Sequence, residues 1–182
     1  MIVGSNEKQR SWMDEGLNSY YEHRYMAQHY GAETLRGLVP AFLIKGSQMG
    51  LGELAYLHQS RRGLNQAPAT SSDSLARINY LLGAYELPAS ALAFLESYLG
   101  KPAFDSMMQA YYIAWQFKHP QPDDLRQHFE KFTGTPLNWL FDGWLYSNQK
   151  TDYAITSLKE TQEGYQVRIV NKGDIAAPFR LS

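Results

Sequence analysis

The stretch Trp12-Met13-Asp14-Glu15-Gly16-Leu17-Asn18-Ser19-Tyr20-Tyr21-Glu22 has the pattern of the beginning of a helix. Asp14 is predicted to be its N-cap or a first-turn residue. Glu15, Ser19 and Glu22 recur at i, i+4 and i+7, so they share one helix face. Taken alone, Glu15 is most simply a surface acid, because the helix dipole stabilises a carboxylate in a first turn.

A second informative stretch is Tyr85-Glu86-Leu87-Pro88-Ala89, which precedes a leucine-rich helical pattern ending at Gly100. Proline is well tolerated in the first turn of a helix, where its missing N–H has no partner to lose. The pattern therefore predicts a helix over 88–99, with Tyr85 just before its N-terminus. By residue type alone, Tyr85 is most simply a core tyrosine.

Trp12, Glu15, Gly16 and Tyr20 have the spacing Trp-x-x-Glu-Gly-x-x-x-Tyr. In this they resemble the aminopeptidase N-like family of zinc metallopeptidases, which are gluzincins. In that family the glutamate is the third protein ligand of a catalytic zinc ion, and the other two are the histidines of an upstream His-Glu-x-x-His helix. The resemblance implies that Glu15 is a metal ligand and that Zn²⁺ is the cofactor of the parent protein.

The second stretch resembles the family's Tyr-Glu-Lys-Gly-Ala segment, whose tyrosine donates a hydrogen bond to the oxyanion of the tetrahedral intermediate. The resemblance assigns this catalytic role to Tyr85. A phenol suits it, because it is neutral at pH 7 and rigid. Leu87 stands where the family commonly has Lys, and Pro88 where it has Gly.

The histidines are His23, His29, His58, His119 and His128. No two are four residues apart, so no helix of this sequence presents the paired imidazoles of a zincin site. We therefore expect a fragment that starts just after the His-Glu-x-x-His helix, without bound zinc and inactive by itself. The alternative, a natural short protein that never had the site, stays open.

Glu22 has two interpretations. It is a candidate to hydrogen-bond a zinc-bound histidine and fix its tautomer. Alternatively, it is a solvated acid that pairs with neighbouring Arg24.

Apolar periodicity predicts helices through most of the sequence before residue 150. The first helix runs to about Tyr30 and stops at Gly31, and one or two helices occupy 33–60. One wide apolar face recurs at spacings of three and four: Phe104, Met107, Met108, Tyr111, Tyr112 and Trp115.

The next helix starts at Asp123 or Asp124, turns Phe132 inward and ends at Gly134. Leucine and aromatic residues over 137–145 mark another helix.

After about Thr151 the apolar period changes to two, which predicts strands around Tyr153 and over 165–169. Another strand is predicted to start at Pro178. The fold class is mainly α with a short, incomplete β extension, divided into domains 1–150 and 151–182. The resemblance implies that the first is the helical C-terminal lobe of a thermolysin-like catalytic domain, and the second the start of a β-sandwich.

The formal net charge of −1 gives no electrostatic reason to expect a nucleic-acid partner. With no cysteine, thiol nucleophiles and Cys-ligated metals are excluded. The longest apolar run, Gly37 to Ile44, is far too short to span a bilayer. The compartment is not predicted.

Two functional hypotheses remain. The first is a fragment of a zinc aminopeptidase whose partners are a peptide substrate and the missing N-terminal lobe of the same polypeptide. The second is a non-catalytic helical binding or scaffold module, or a pseudo-peptidase. Substrate-binding residues, and the choice between exopeptidase and endopeptidase, are not predicted. Apolar surface bared around Trp12 and Tyr20 predicts a homodimer.

Overall fold

A computed structural model of the chain describes residues 3–30 and 51–179. In these ranges the protein is mainly helical with one short antiparallel hairpin, which confirms the predicted fold class. The α-helices are α1 Glu7–Tyr30, α2 Leu51–Arg61, α3 Arg77–Tyr80, α4 Leu87–Leu99, α5 Lys101–Trp115 and α6 Pro122–Thr133. The other elements are a 3₁₀ turn Ser72–Ser74, π-helical segments Leu81–Glu86 and Trp139–Leu145, and strands β1 Tyr153–Thr161 and β2 Gly164–Asn171. The predicted stop at Gly31 and most of the predicted helical stretch 33–60 lie outside the described residues.

Helix α1 begins earlier than the sequence pattern predicted. The Asn6 side chain caps its first turn by accepting a hydrogen bond from the Gln9 N–H at 3.3 Å. Arg10 then interrupts the helix with non-helical backbone angles (φ −142°, ψ 50°), and the helix resumes at Ser11. Asp14 therefore lies in the first turn after the interruption, so of the two predicted alternatives the first-turn position is correct and the N-cap is not.

Helix α3, the segment Leu81–Glu86 and helix α4 form one continuous helix, since the junction residues have right-handed helical angles. The Leu87 N–H donates to the Leu82 carbonyl, five residues back, which is the π-helical pattern. This wider turn accommodates Pro88, which has no N–H to donate, without ending the helix. Tyr85 thus lies inside a helix, and the prediction that it precedes a helix N-terminus is wrong.

The main core is formed by α1, α4, α5, α6 and the segment after α6. Phe104, Met107, Met108 and Tyr111 are buried in it, which confirms the central part of the predicted apolar face of α5. Trp12 and Tyr20 belong to the same core and are each only 3% exposed. The expectation that apolar surface is bared around these two residues is wrong, because helices of the same chain cover them.

Helix α6 has its predicted end but not its predicted start. Gln121 is the N-cap and forms a reciprocal capping box with Asp124, so the start at Asp123 or Asp124 was placed too late. Gly134 ends the helix in the left-handed region (φ 68°), as predicted. Phe132 is 43% exposed, so its predicted inward orientation is wrong. The buried side of α6 includes Leu125 and Phe129 but does not extend to Phe132.

A charged network ties α1 to α4 and α5. Arg24 binds both carboxylate oxygens of Asp105, at 2.5 and 2.8 Å. Tyr20 Oη donates to Glu96 Oε2 at 2.8 Å and accepts a hydrogen bond from Arg24 at 3.2 Å. The alternative that Arg24 pairs with Glu22 is therefore wrong: Arg24 is engaged by residues more than seventy positions later in the chain.

Strands β1 and β2 form the hairpin predicted from the period-two pattern, with a bulge between Ile155 and Ser157. Pro178 and Phe179 are not in a strand, and the rest of that predicted strand lies outside the described residues. The domain division at residue 150 stays a prediction.

Candidate active site

The two residues singled out by the sequence motifs are in direct contact. Tyr85 Oη donates a hydrogen bond to Glu15 Oε1 at 2.8 Å, across 70 positions of sequence. Both side chains are half-buried. The resemblance predicts that their polar ends face one cleft about 5–10 Å apart, the spacing that leaves room for a metal ion and substrate. That prediction is wrong for this structure, since the phenol and the carboxylate hydrogen-bond each other directly.

The contact depends on a close approach of α1 to the helix that carries Tyr85. A Cβ atom on Gly16 would lie 2.4 Å from Pro88 Cβ and 3.4 Å from the Ala84 carbonyl oxygen. No larger residue fits at Gly16 without moving one of the two helices. Gly16, which follows Glu15, and Pro88, three residues after Tyr85, therefore form one packing contact, which limits how far apart the side chains of Glu15 and Tyr85 lie.

The surroundings of Tyr85 stabilise the neutral form of a phenol that is already protonated at pH 7. The hydrogen bond to the Glu15 carboxylate, reinforced by burial and by the charge of Glu15, raises the pKa of Tyr85 well above its ordinary value. The Tyr80 ring packs edge-on against the Tyr85 ring, with centroids 6.0 Å apart. Tyr85 is thus held as a hydrogen-bond donor at neutral pH.

Asp14 is a buried acid that sequence reasoning did not single out as functional. It is 8% exposed and accepts a hydrogen bond from Asn18 at 3.1 Å. Burial, with a hydrogen bond to Glu7 and the charges of Glu7 and Glu15, raises the pKa of Asp14 to about 6. A buried acid beside Glu15 makes the start of α1 an electronegative environment, and only the tertiary packing reveals it.

The other candidate, Glu22, is exposed on α1 about two turns beyond Glu15. No group of three or more His, Cys, Asp or Glu side chains arranged to hold a metal ion occurs among residues 3–30 and 51–179. Glu15 is thus a single carboxylate of the type that binds zinc, hydrogen-bonded by a neighbouring residue as metal-binding carboxylates usually are.

A cleft of about 810 Å³ lies beside the helix that carries Tyr85. Its walls come from α2, from that helix and from the segment 144–152. Tyr56, Phe94 and Trp144 supply aromatic surface, and Glu86, next to Tyr85 in sequence, supplies a carboxylate. Sequence reasoning did not identify these lining residues, because they come from three separate parts of the chain.

The two motifs thus meet in space. A comparison with protein families identifies the family of the chain that carries them. The profile of the Peptidase family M1 domain matches residues 2–144. The chain belongs to peptidase family M1. This confirms the resemblance to aminopeptidase N-like enzymes and makes the chain related to metallopeptidases. Searches of curated proteins and of solved structures found no match.

The M1 match starts before α1 and ends at Trp144, so it includes both motifs and leaves out the β1–β2 hairpin. M1 peptidases are in general zinc-dependent. Among the helices that the structure describes, none has the length and apolarity needed to cross a membrane.

Proposed function

We propose that this chain is the helical part of the catalytic domain of a zinc aminopeptidase, in which Glu15 is a zinc ligand and Tyr85 stabilises the oxyanion. The observation that supports the proposal is the 2.8 Å hydrogen bond between the two side chains. The M1 motifs that contain them are far apart in sequence, and a shared catalytic centre requires them to converge.

Glu15 can supply one oxygen ligand, and the two histidine ligands are proposed to come from a segment outside this sequence. A bound zinc ion would polarise the scissile carbonyl and lower the pKa of its bound water. Such a site needs three protein ligands, and no cluster of three or more suitable side chains occurs among residues 3–30 and 51–179. The chain alone is therefore proposed to be inactive.

Tyr85 would contribute a hydrogen bond to the oxygen on which negative charge develops. A phenol is protonated at pH 7, so the group can donate a hydrogen bond to that oxygen. Removing one donor of this kind typically lowers the rate by about 10²–10³. The present bond to Glu15 holds the ring on the side of the helix that faces α1. The proposed role requires the hydroxyl to leave Glu15 and donate to the substrate instead.

The experiment compares this chain with a longer polypeptide made from the intact reading frame, using an aminoacyl p-nitroanilide as substrate. We expect no turnover by the chain alone and zinc-dependent turnover by the longer protein. In the longer protein, Tyr85→Phe is expected to lower kcat about 10²–10³-fold with little change in KM. Tyr112→Phe, at an exposed tyrosine of α5, is the matched control and should leave both constants unchanged.

Glu15→Gln should lower the zinc content of the longer protein, measured by atomic absorption, along with activity. Turnover by the chain alone, or a Tyr85→Phe variant with full kcat, would contradict the proposal. An upstream reading frame without a His-Glu-x-x-His sequence would instead support the binding-module alternative.

We further propose that the enzyme is specific for free amino termini, on the basis of its resemblance to aminopeptidase N-like enzymes. We expect the longer protein to cleave a peptide with a free amino terminus and to leave its N-acetylated form intact. Equal cleavage of the two peptides would make the enzyme an endopeptidase and leave the roles of Glu15 and Tyr85 unchanged.

A further inference from the structure

The cleft of about 810 Å³ beside the helix that carries Tyr85 is large enough to hold a short segment of peptide. Two hydrogen bonds hold its walls together. The Asn148 side-chain amide donates to the Asn65 carbonyl at 2.8 Å, and the Ala69 N–H donates to the Leu145 carbonyl at 2.8 Å. The segment 144–152, which forms one wall, is thus fixed to the loop after α2, so the chain itself holds the cleft in shape.

Part of the cleft surface is aromatic. The Phe94 and Trp144 rings meet edge to face, with their centroids 4.9 Å apart. The Trp144 indole N–H donates to Thr151 Oγ1 at 3.1 Å, which fixes the orientation of the indole. Tyr56 adds a ring from α2. Aromatic rings pack against apolar groups and attract cations to their faces, so this surface suits a ligand that combines the two.

In the part of the chain that the structure describes, the charged residues of the cleft lining are Glu86, Lys150 and Asp152. Lys150 and Asp152 are exposed and opposite in sign, whereas Glu86 is half-buried. The Glu86 carboxylate lies against the backbone of α2, because a Cβ atom on Gly52 would be 2.9 Å from its Cδ and Oε2 atoms. A carboxylate in such a position repels an anion and loses hydration under an apolar ligand, but it attracts a cation.

We propose that the cleft binds the side chain of an arginine or lysine residue of a peptide, with the cationic group at Glu86 and the methylene stem against the aromatic rings. The choice of a peptide rests on the proposed peptidase function. The choice of a basic side chain rests on the lining, since a carboxylate forms charge-assisted hydrogen bonds with guanidinium or ammonium and aromatic surface covers the stem. An acidic side chain would be repelled by Glu86, and a neutral one would leave its charge uncompensated.

The position of Glu86 connects the cleft with the candidate active site. Glu86 directly follows Tyr85, and successive side chains of a helix point in different directions. Tyr85 contacts Glu15 of α1, whereas Glu86 contacts α2 at Gly52. The two groups lie on one turn of the same helix, so a peptide bound at Tyr85 needs only a few residues to reach the cleft. Glu86 is thereby proposed to be a specificity-determining residue.

Isothermal titration calorimetry with the peptide acetyl-Ala-Arg-Ala-amide, whose only charge is the guanidinium, tests the proposal on the chain itself. We expect a Kd on the order of 0.1–1 mM. The same peptide with citrulline in place of arginine keeps the shape without the charge, and it should bind at least about tenfold more weakly. Glu86→Gln should weaken binding of the arginine peptide by a similar factor. Glu163→Gln, at an exposed acid in the turn of the hairpin, is the matched control and should leave the Kd unchanged.

A second variant tests the charge of the cleft at an exposed residue, where packing is not disturbed. Lys150→Gln removes a positive charge from the lining and should tighten binding of the arginine peptide by about two- to fivefold at low salt. Equal binding of the arginine and citrulline peptides, or an unchanged Kd in Glu86→Gln, would overturn the proposal. No detectable binding at about 10 mM peptide would overturn it as well. These measurements require neither zinc nor turnover, so an inactive longer protein would contradict the proposed peptidase function without changing their result.

Discussion

Replacing Gly16 with alanine is the sharpest test of the helix contact that brings Glu15 and Tyr85 together. The new Cβ would lie 2.4 Å from Pro88 Cβ, so the helices must separate by more than 1 Å (roughly) to restore an ordinary contact. Overpacking of this kind costs about 1–3 kcal/mol, and alanine recovers about 1 kcal/mol through helix propensity. We expect a net loss of up to about 2 kcal/mol and a Tm lower by up to about 8 °C.

Thermal unfolding followed by circular dichroism measures this loss, and a double-mutant cycle with Pro88→Gly identifies its cause. Pro88→Gly removes the atom that Gly16→Ala would strike, so the alanine should cost at least about 0.5 kcal/mol less in that background. A Gly16→Ala variant that is more stable than wild type would show that helix propensity dominates and that the contact is loose. An equal cost with and without the Pro88 side chain would refute the assignment of the clash.

Three further predictions concern the stability of this chain. Tyr85→Phe should lower the free energy of unfolding by about 0.5–1.5 kcal/mol in denaturant titrations, because Glu15 loses its hydrogen-bond donor; a neutral result would mean that solvent replaces the phenol without cost. A double-mutant cycle of Arg24→Ala and Asp105→Ala should give a coupling of about 1 kcal/mol at pH 7, a modest value because Asp105 is partly exposed. The Arg24 hydrogen bond lowers the pKa of Asp105, so this coupling should be fully present above the ordinary aspartate pKa of about 4 and be lost as the pH falls through the lowered value. A coupling that does not weaken at any pH below about 4 would contradict the ion pair. Pro88→Ala restores an N–H at position 88 and should favour a regular α-helical turn. That turn would move the Tyr85 hydroxyl away from Glu15 and break their hydrogen bond. Unchanged NMR signals of the Tyr85 ring would contradict this prediction.

The parts of the fold that the sequence predicted well depend on local patterns. The buried face of α5, including Phe104 and Met107, follows from a helical period that one helix can satisfy alone. The hairpin follows from alternation on both sides of the turn at Glu163-Gly164. Few other local structures are compatible with the sequence at these positions, so the periodicity of short segments was enough to predict the helix and the hairpin.

The incorrect predictions were made where two local solutions compete. Asn6 and Asp14 are both good capping residues, and the interruption at Arg10 decides which of them is used. Pro88 can start a helix or follow a π-helical turn, and the sequence before it does not distinguish the two. At Pro88, the contact with Gly16 of α1 is a long-range feature that short stretches of sequence do not contain.

Long-range contacts explain what no local pattern could predict about the site. The engagement of Arg24 by Asp105 and Glu96 joins residues on three helices, and it fixes α1 two turns beyond Glu15. The contact of Gly16 with Pro88 fixes the same helix one residue after Glu15. Because α1 is held next to Glu15 and again nine residues further along, the distance from Glu15 to Tyr85 depends on contacts with several helices. A proposed metal centre that draws one ligand from α1 needs this rigidity, since a ligand displaced by 1 Å is poorly placed for coordination.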